Sequence, residues 1–366
     1  MACANLAFFL SPQGRNSWPY QPEQPVSLPE DFFGVCVASS EDPACDDYIL
    51  ARLRELGVKC VRVDYGYDSP GGFVARLVGR LLSEGYRVAL HLVAPRRDME
   101  ALDTPDGAAR WREFVRDAFA RFGGGVELFE IGSTVNRRRW SGFTVPRFLR
   151  AWEIAWAEAR ERGLVLAGPN VTDFEPFYNV AILQALRQRG CRPGIHTNNL
   201  FVERATEPEA FDPKILGPGW AARLKFNTVR KAALLGAIGR WAGVPRTYSM
   251  HVSWSLRRIR RLLVDVEEQQ ADYVARYGCL AAASGGLQRV YWGPLIGQRE
   301  GLIDDGTTFF PEVFHVTFYG RANGKVGDYR IRPAFRAFQT VVRFLAGTTF
   351  TRRISARGSL EILEFQ

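Results

Sequence analysis

Phe129-Glu130-Ile131-Gly132-Ser133-Thr134-Val135-Asn136 is a short apolar run that breaks at a glycine and continues into polar residues. Such a run reads as the end of a buried strand, Glu127–Ile131, with a loop behind it. The same unit recurs on both sides. Upstream lie the apolar runs Phe32–Val37, Cys60–Val63 and Arg87–Val93, and downstream Leu164–Ala167, Gly194–His196, Tyr248–Val252 and Arg289–Trp292. Helical patterns fill the gaps: Asp47–Leu56, Gly72–Glu84, Ala108–Phe122, Pro146–Arg162, Val180–Arg189 and Val264–Ala283. Gly57, Gly85, Gly163 and Gly190 stand where a helix needs a C-terminal cap. Eight strands alternating with helices predict a parallel sheet, and 366 residues favour its closure into an α/β (β/α)₈ barrel.

The barrel takes residues 31–347. Residues 1–30, rich in Pro, Gln and Ser over 11–30, read as an extended lead-in, and 348–366 alternate like a strand and form a short C-terminal β extension. Phe211–Gly243 is a helical insertion between the sixth and seventh strands with a basic, partly amphipathic helix, Trp220–Trp241. That helix reads either as a barrel helix with a solvated arginine face or as a surface for a partner or a membrane.

A chain that is 46% hydrophobic can bury a large core, and a formal net charge of +9 points to acidic partners. Lys59, Lys214, Lys225, Lys231 and Lys325 are the only lysines, so the positive charge is almost all arginine, which grips phosphate or carboxylate in a two-pronged fork. The six cysteines show no C-x-x-C pair, which argues against a disulfide framework or a zinc site and for reduced thiols. The apolar run Leu6–Leu10 is too short for a signal peptide, and no stretch is long enough to span a bilayer. The expected location is cytoplasmic, with peripheral attachment to the inner face of a membrane open. No nucleic-acid module is visible.

In such a barrel, function sits beyond the carboxyl ends of the strands. The second strand runs Val61-Arg62-Val63-Asp64, the third carries His91, and the sixth runs Ile195-His196-Thr197-Asn198. The seventh gives Met250-His251-Val252-Ser253-Trp254, and the eighth Val290-Tyr291-Trp292-Gly293. With the fourth-strand stretch above, this order resembles the clan-A retaining glycoside hydrolases over roughly Phe32 to Gly347. The fourth-strand stretch is similar to that family's "E-I-G-N-E-P-N", the seventh to its "T-E-x-G-W". The resemblance implies that Arg62 supports the nucleophile position, that His196 forms a sugar subsite, and that Trp292 is the platform under the sugar. Asn136 and Glu130 match the family's fourth strand. Thr134 stands in place of the acid/base glutamate and His251 in place of the nucleophile.

Retaining hydrolysis needs two carboxyl groups about 5–5.5 Å apart. Neither Thr134 nor His251 supplies one, although His251 can act as acid or base. The chain is therefore read either as a pseudoenzyme that keeps a carbohydrate site or as a glycosidase with relocated carboxylates, drawn from Asp64, Asp173, Glu175, Glu203 and Glu300. Glu130 and His251 are the candidate catalytic residues. Arg62, Asp64, His91, Asn136, His196, Asn198, Trp292, Arg137 and Arg138 are the candidate substrate-binding residues. Trp140 and Trp254 are further aromatic faces. His91, His196 and His251 could hold a metal if they converged, but sugar hydrogen bonding is the preferred reading, and no metal or cofactor is expected. Arg96-Arg97 and Arg137-Arg138-Arg139 follow the third and fourth strands directly and place cations on the rim. The expected ligand is an anionic carbohydrate, such as a bacterial envelope glycan or lipopolysaccharide core. A non-catalytic assembly role, docked on a membrane or a glycosyltransferase, is the alternative.

Overall fold

Runs of β-branched and aliphatic residues with both faces covered form the central strands of a parallel sheet. In the computed structural model, eight of them close on themselves. They are β1 (Phe33–Val37), β2 (Cys60–Gly66), β3 (Arg87–Val93), β4 (Leu128–Ile131), β5 (Leu166–Thr172), β6 (Ile195–Asn199), β7 (Thr247–Val252) and β8 (Arg289–Trp292). Each pairs in parallel with the next, and β8 returns to β1 through Phe33–Val290 and Val35–Trp292. The structure describes residues 2–16, 25–69, 71–201, 207–211, 213, 217–261, 263–308, 319–357 and 360–366.

The helices start earlier than periodicity predicts because prolines open them. Asp42 caps Pro43–Leu56 by accepting from the Ala44 amide, and Thr104 caps Pro105–Phe122 by accepting from Gly107. Proline suits the first helical turn, where its missing N–H would be unpaired anyway. Gly57 closes the first helix at φ 72°, its amide donating to Leu53 and Arg54 carbonyls, which is the left-handed cap that glycine tolerates.

Alternation along the strands sorts side chains into the barrel or toward the helices. Cys36, Cys60, Ala89, Leu128, Ala167, Ile195, Tyr248, Met250 and Tyr291 pack together inside. Below them Arg289 is buried, ion-paired to Asp31 and Glu127, with its guanidinium 4.9 Å from the Tyr248 ring. The outward residues join the larger core between strands and helices.

Three regions differ from the sequence expectation. Residues Ala2–Leu10 and Pro12–Asn16 are helical, not extended. The apolar run finds a partner: Phe8 is fully buried with its ring 5.5 Å from Trp241, and Phe9 lies 5.8 Å from Phe177. The insertion helix is two helices, Gly217–Arg223 and Thr228–Trp241, broken where Lys225 turns to φ 51° and Asn227 caps the second. The second is buried on nearly every side, including Arg230 and Lys231, which lie over the Phe226 and Phe174 rings. It is the barrel's own helix between β6 and β7, while Trp220 and Arg223 on the shorter helix before it remain exposed. The third is the fifth strand, expected to end at Ala167, which continues to Thr172 through a bulge at Pro169–Val171. At the C-terminus, Thr349–Arg357 and Leu360–Phe365 form the expected hairpin. It pairs with Val26–Ser27, just before β1, at the amino-terminal end of the barrel.

Gly132 ends β4 at φ 100°, and a Cβ there would meet the Phe148 ring and the Pro169 carbonyl, each at 2.7 Å. Both the backbone and the space exclude a side chain. Gly132→Ala is expected to destabilise the fold by about 1–3 kcal/mol, read as a lowered midpoint in urea unfolding with unchanged slope. An unchanged midpoint would show that the loop relaxes freely.

Candidate functional site

At the carboxyl ends of the strands lies a cavity of about 650 Å³. Its floor is a buried polar network that begins at Arg62 on β2. Arg62 Nε donates to Glu130 Oε2 at 2.8 Å, and its Nη1 donates to Asp64 Oδ1 at 2.8 Å. Arg62 Nη2 and Asp64 Oδ1 both lie against His91 Nδ1, at 2.5 and 2.8 Å. His91 Nε2 reaches the Gly132 carbonyl at 3.0 Å, tying β3 to the loop after β4. Asn170 continues the network on β5. Its Nδ2 donates to Glu130 Oε1 at 2.6 Å, and its Oδ1 accepts from the Thr134 amide at 3.0 Å and from Asn199 Nδ2 at 3.1 Å.

Electrostatics follow from this geometry. Burial alone would raise the Asp64 carboxyl, but Arg62 and His91 overcome it and hold Asp64 well below the usual carboxylate range. Only Oδ1 of Asp64 is taken up by these partners. Burial, with Arg62 and His91 nearby, pushes the His251 imidazole down to about 3, so it is neutral at physiological pH. On the far wall, burial raises the Glu300 carboxyl above its ordinary value, against the opposing pull of Arg299 and a hydrogen bond from the Tyr319 hydroxyl.

Three buried polar atoms on side chains lining this cavity have no hydrogen-bond partner among the described residues: Thr134 Oγ1, His251 Nε2 and Glu300 Oε2. Arg299 Nε stands 3.3 Å from the last of these without hydrogen-bond geometry. Thr134 is held at φ 48°, a left-handed backbone that a β-branched residue rarely takes and that collects at functional sites.

The structure brings some of the expected residues together and separates others. Arg62, Asp64, His91, Asn136, Arg137, Arg138 and His251 line the cavity, as do Trp140 and Trp254. Glu130 sits beneath it, fully buried and bound on both oxygens, so it supports the floor and is not placed to react. Asn136 lies on the wall but both its amide atoms are bound to the Thr172 backbone, at 2.8 and 2.9 Å. Arg137 is paired with Asp173 at 2.7 Å and Glu175 at 2.9 Å, which makes it a rim clamp.

His196, Asn198 and Trp292 point the other way. Strand alternation turns them toward the helix layer. His196 Nε2 meets Asn179 Oδ1 at 2.7 Å, and Asn198 on the same face of β6 is fully buried. Trp292 stacks on Trp254 at 5.7 Å and 16° and packs near Tyr277 and Phe338. It is no platform for a sugar, and the three histidines do not converge. Among the described residues no cluster of three His, Cys, Asp or Glu could hold a metal. Glu203 lies outside the described residues.

Sequence reasoning missed Asn170, Asn199, Phe201, Arg258, Arg299 and Tyr319, all on the cavity wall. Asn170 follows Gly168-Pro169, a pair that signals a strand end, and the strand runs on regardless. Tyr319 comes from a long connection after β8 with no pattern to mark it.

No family model and no curated protein matches the sequence. Solved structures do match. A family 39 glycoside hydrolase from Bacteroides cellulosilyticus WH2 superposes with a TM-score of 0.63 at 15% identity, over 92% of this chain and 68% of that one. A glucosidase from Croceicoccus marinus gives 0.60 at 16%, over 94% and 71%. A β-glucosidase from Thermotoga maritima, solved with deoxynojirimycin, gives 0.55 at 13%, over 87% and 98%. At these identities the likeness is one of fold: the chain shares the (β/α)₈ barrel with these structures.

Burial pushes His196, like His251, down to about 3. Both folded values lie below the unfolded value near 6.5, so the unfolded chain binds the extra protons. Their contribution to stability is complete above about pH 6.5 and is lost as pH falls toward 3, by on the order of 1 kcal/mol per pH unit for each histidine. Denaturant midpoints between pH 7 and 4.5 are expected to fall, and His251→Gln should flatten part of that slope. A slope identical in wild type and variant would show that His251 is not held neutral by the fold.

Proposed function

We propose that this chain binds and processes carbohydrate in the cavity at the carboxyl ends of its strands, and that the glycan is anionic. The observation that carries the reading is the set of buried polar atoms without a hydrogen bond on Thr134, His251 and Glu300, on residues lining one cavity above the Arg62 network. Buried polar groups in folded proteins are almost always paired, and sugar hydroxyls both donate and accept. A cavity of about 650 Å³ suits one or two sugar rings. The shared barrel of glycoside hydrolases is in keeping with this site.

The anionic part rests on the rim. Arg138 and Arg139 are exposed on the cavity lip and have no ion pair among the described residues. Trp140 beside them is half-buried and offers the aromatic face that Trp292 cannot. A phosphorylated or uronic-acid-bearing glycan fits that lip, and a bacterial envelope glycan such as lipopolysaccharide core belongs to this chemical class. Docking on a membrane or a glycosyltransferase loses the buried helix Thr228–Trp241 as a surface and would rest on the exposed Trp220 and Arg223 of Gly217–Arg223. Among the described residues no helix is long and apolar enough to cross a membrane.

Replacing Arg138 and Arg139 together with Ala is expected to weaken binding of a phosphorylated oligosaccharide roughly 5- to 30-fold. The loss should shrink as salt rises, because exposed charges are screened. Affinity for the dephosphorylated counterpart should hold, while Trp140→Ala weakens both. Isothermal titration calorimetry at two ionic strengths checks this. Equal affinity for the charged and neutral forms at both salts would remove the anionic glycan from the reading.

A further inference from the structure

The helix Ala2–Leu10 carries no charged residue and is apolar on two faces. One face packs on the barrel: Phe8 is fully buried beside Trp241, and Phe9 lies beside Phe177. The other face turns Cys3, Leu6, Ala7 and Leu10 to solvent. These positions fall at i, i+3, i+4 and i+7, so they form one continuous row along the helix. Leu6 is 61% exposed and Leu10 56%, and Phe177, whose carbonyl accepts from the Asn5 amide, is 44% exposed. Contiguous apolar side chains on the outside of a protein mark a surface that meets something apolar.

The charge around this row is of one sign. Ala2–Leu10 packs on Pro176–Gln188, and Pro12–Asn16 packs on Thr228–Trp241. Residues 1–22, 176–202 and 214–246 contain no Asp or Glu, in a chain that has 39 of them. Arg15, Arg187, Arg192 and Arg240 belong to these segments, are exposed, and make no ion pair among the described residues. Arg187 donates to the Trp241 carbonyl at 3.0 Å, which sets its cation beside the residue that seats Phe8. At the border with Val145–Arg160 the sign changes, and there Glu153 pairs with Arg189 at 2.8 Å.

We propose that this flank of the barrel docks on an anionic lipid bilayer. Leu6, Leu10 and Phe177 enter the boundary between headgroups and acyl chains, and Arg15, Arg187, Arg192 and Arg240 lie against the lipid phosphates. The inference is independent of the carbohydrate reading and does not depend on Trp220 or Arg223. A second copy of the chain is the poorer occupant. In a two-fold dimer the same patch meets itself, which brings these arginines together with no carboxylate of the patch to neutralise them. The row also stands on the convex outside of a helix, and a fluid interface takes in such a row without a preformed groove. The two attractions respond differently to salt. Attraction of arginine to phosphate is screened over about 8 Å at physiological ionic strength, whereas insertion of leucine is not.

The test uses the full chain in co-sedimentation with vesicles of phosphatidylcholine alone, or of phosphatidylcholine and phosphatidylglycerol in equal parts. Binding to the mixed vesicles is expected, at least about tenfold tighter than to phosphatidylcholine and weakening as salt rises. Leu6→Ser with Leu10→Ser should lower the mixed-vesicle partition roughly 5- to 30-fold. Arg15→Gln with Arg240→Gln should lower it by a similar factor, since each cation near the surface contributes roughly fivefold. Arg116→Gln with Arg343→Gln, on helices elsewhere around the barrel, removes the same net charge and should leave the partition within about twofold. Urea unfolding of each variant checks that the fold is kept. Mixed-vesicle binding that survives the leucine pair unchanged, or that falls equally with the Arg116 and Arg343 pair, overturns the proposal. Absence of binding to both kinds of vesicle overturns it and leaves an acidic protein as the occupant. A wild-type chain that sediments as a dimer, and becomes a monomer with the leucine pair, assigns the row to a second copy and overturns it as well.

Discussion

A guanidinium buried inside a barrel has to be neutralised and hydrogen-bonded, or the fold cannot hold it. Arg62 meets that demand with Glu130, Asp64 and His91, and the rest of the site follows. Glu130, once paired on one oxygen, needs a donor on the other, and Asn170 supplies it. Asn170 then accepts from the Thr134 amide and from Asn199, so the order runs from β2 across to β6. Removing one partner from such a buried set costs about 3–5 kcal/mol, because it leaves a charge uncompensated. The network is therefore a poor way to gain stability and a good way to fix positions. It holds the Asp64 carboxylate at the cavity and presents Thr134 in a strained turn.

Much of the fold was legible because strand and helix periods are written into the chain. The eight strands, their order and the glycine caps such as Gly57 could be read from apolar runs and turn residues alone. The site was legible where a residue's strand position also fixed its direction, as for Arg62, Asp64 and His91. It failed where direction depended on register. His196 and Trp292 sit at strand ends as expected, yet the two-residue repeat turns them to the helix layer. At β8 that face belongs to Trp292 packing on Trp254, and the inward place falls to Gly293, whose added Cβ would meet Cys36 and His251. Burial likewise decided the fate of the insertion helix, since a row of basic residues looks the same whether solvated or laid over aromatic rings.

Other parts were beyond pattern reading. Tyr319 and Glu300 are brought to the wall by a connection with no periodicity, and their pairing is a tertiary fact. Arg137 and Arg138 are neighbours with identical chemistry, but only Arg137 finds Asp173 and Glu175, so one braces the rim and the other stays exposed on the cavity lip. Asn136 matches the family pattern by position and spends its amide on the Thr172 backbone. A motif names the residue, and the hydrogen-bond count says whether it is free to act.

We propose that one cavity, floored by the Arg62 network, receives an anionic sugar. A crystal structure of the protein with a bound phosphorylated or uronate oligosaccharide tests it most directly. Sugar hydroxyls are expected within hydrogen-bond distance of Thr134, His251 and Glu300, and the charged group against Arg138 and Arg139. A sugar bound elsewhere on the surface, with this cavity holding only solvent, would contradict it.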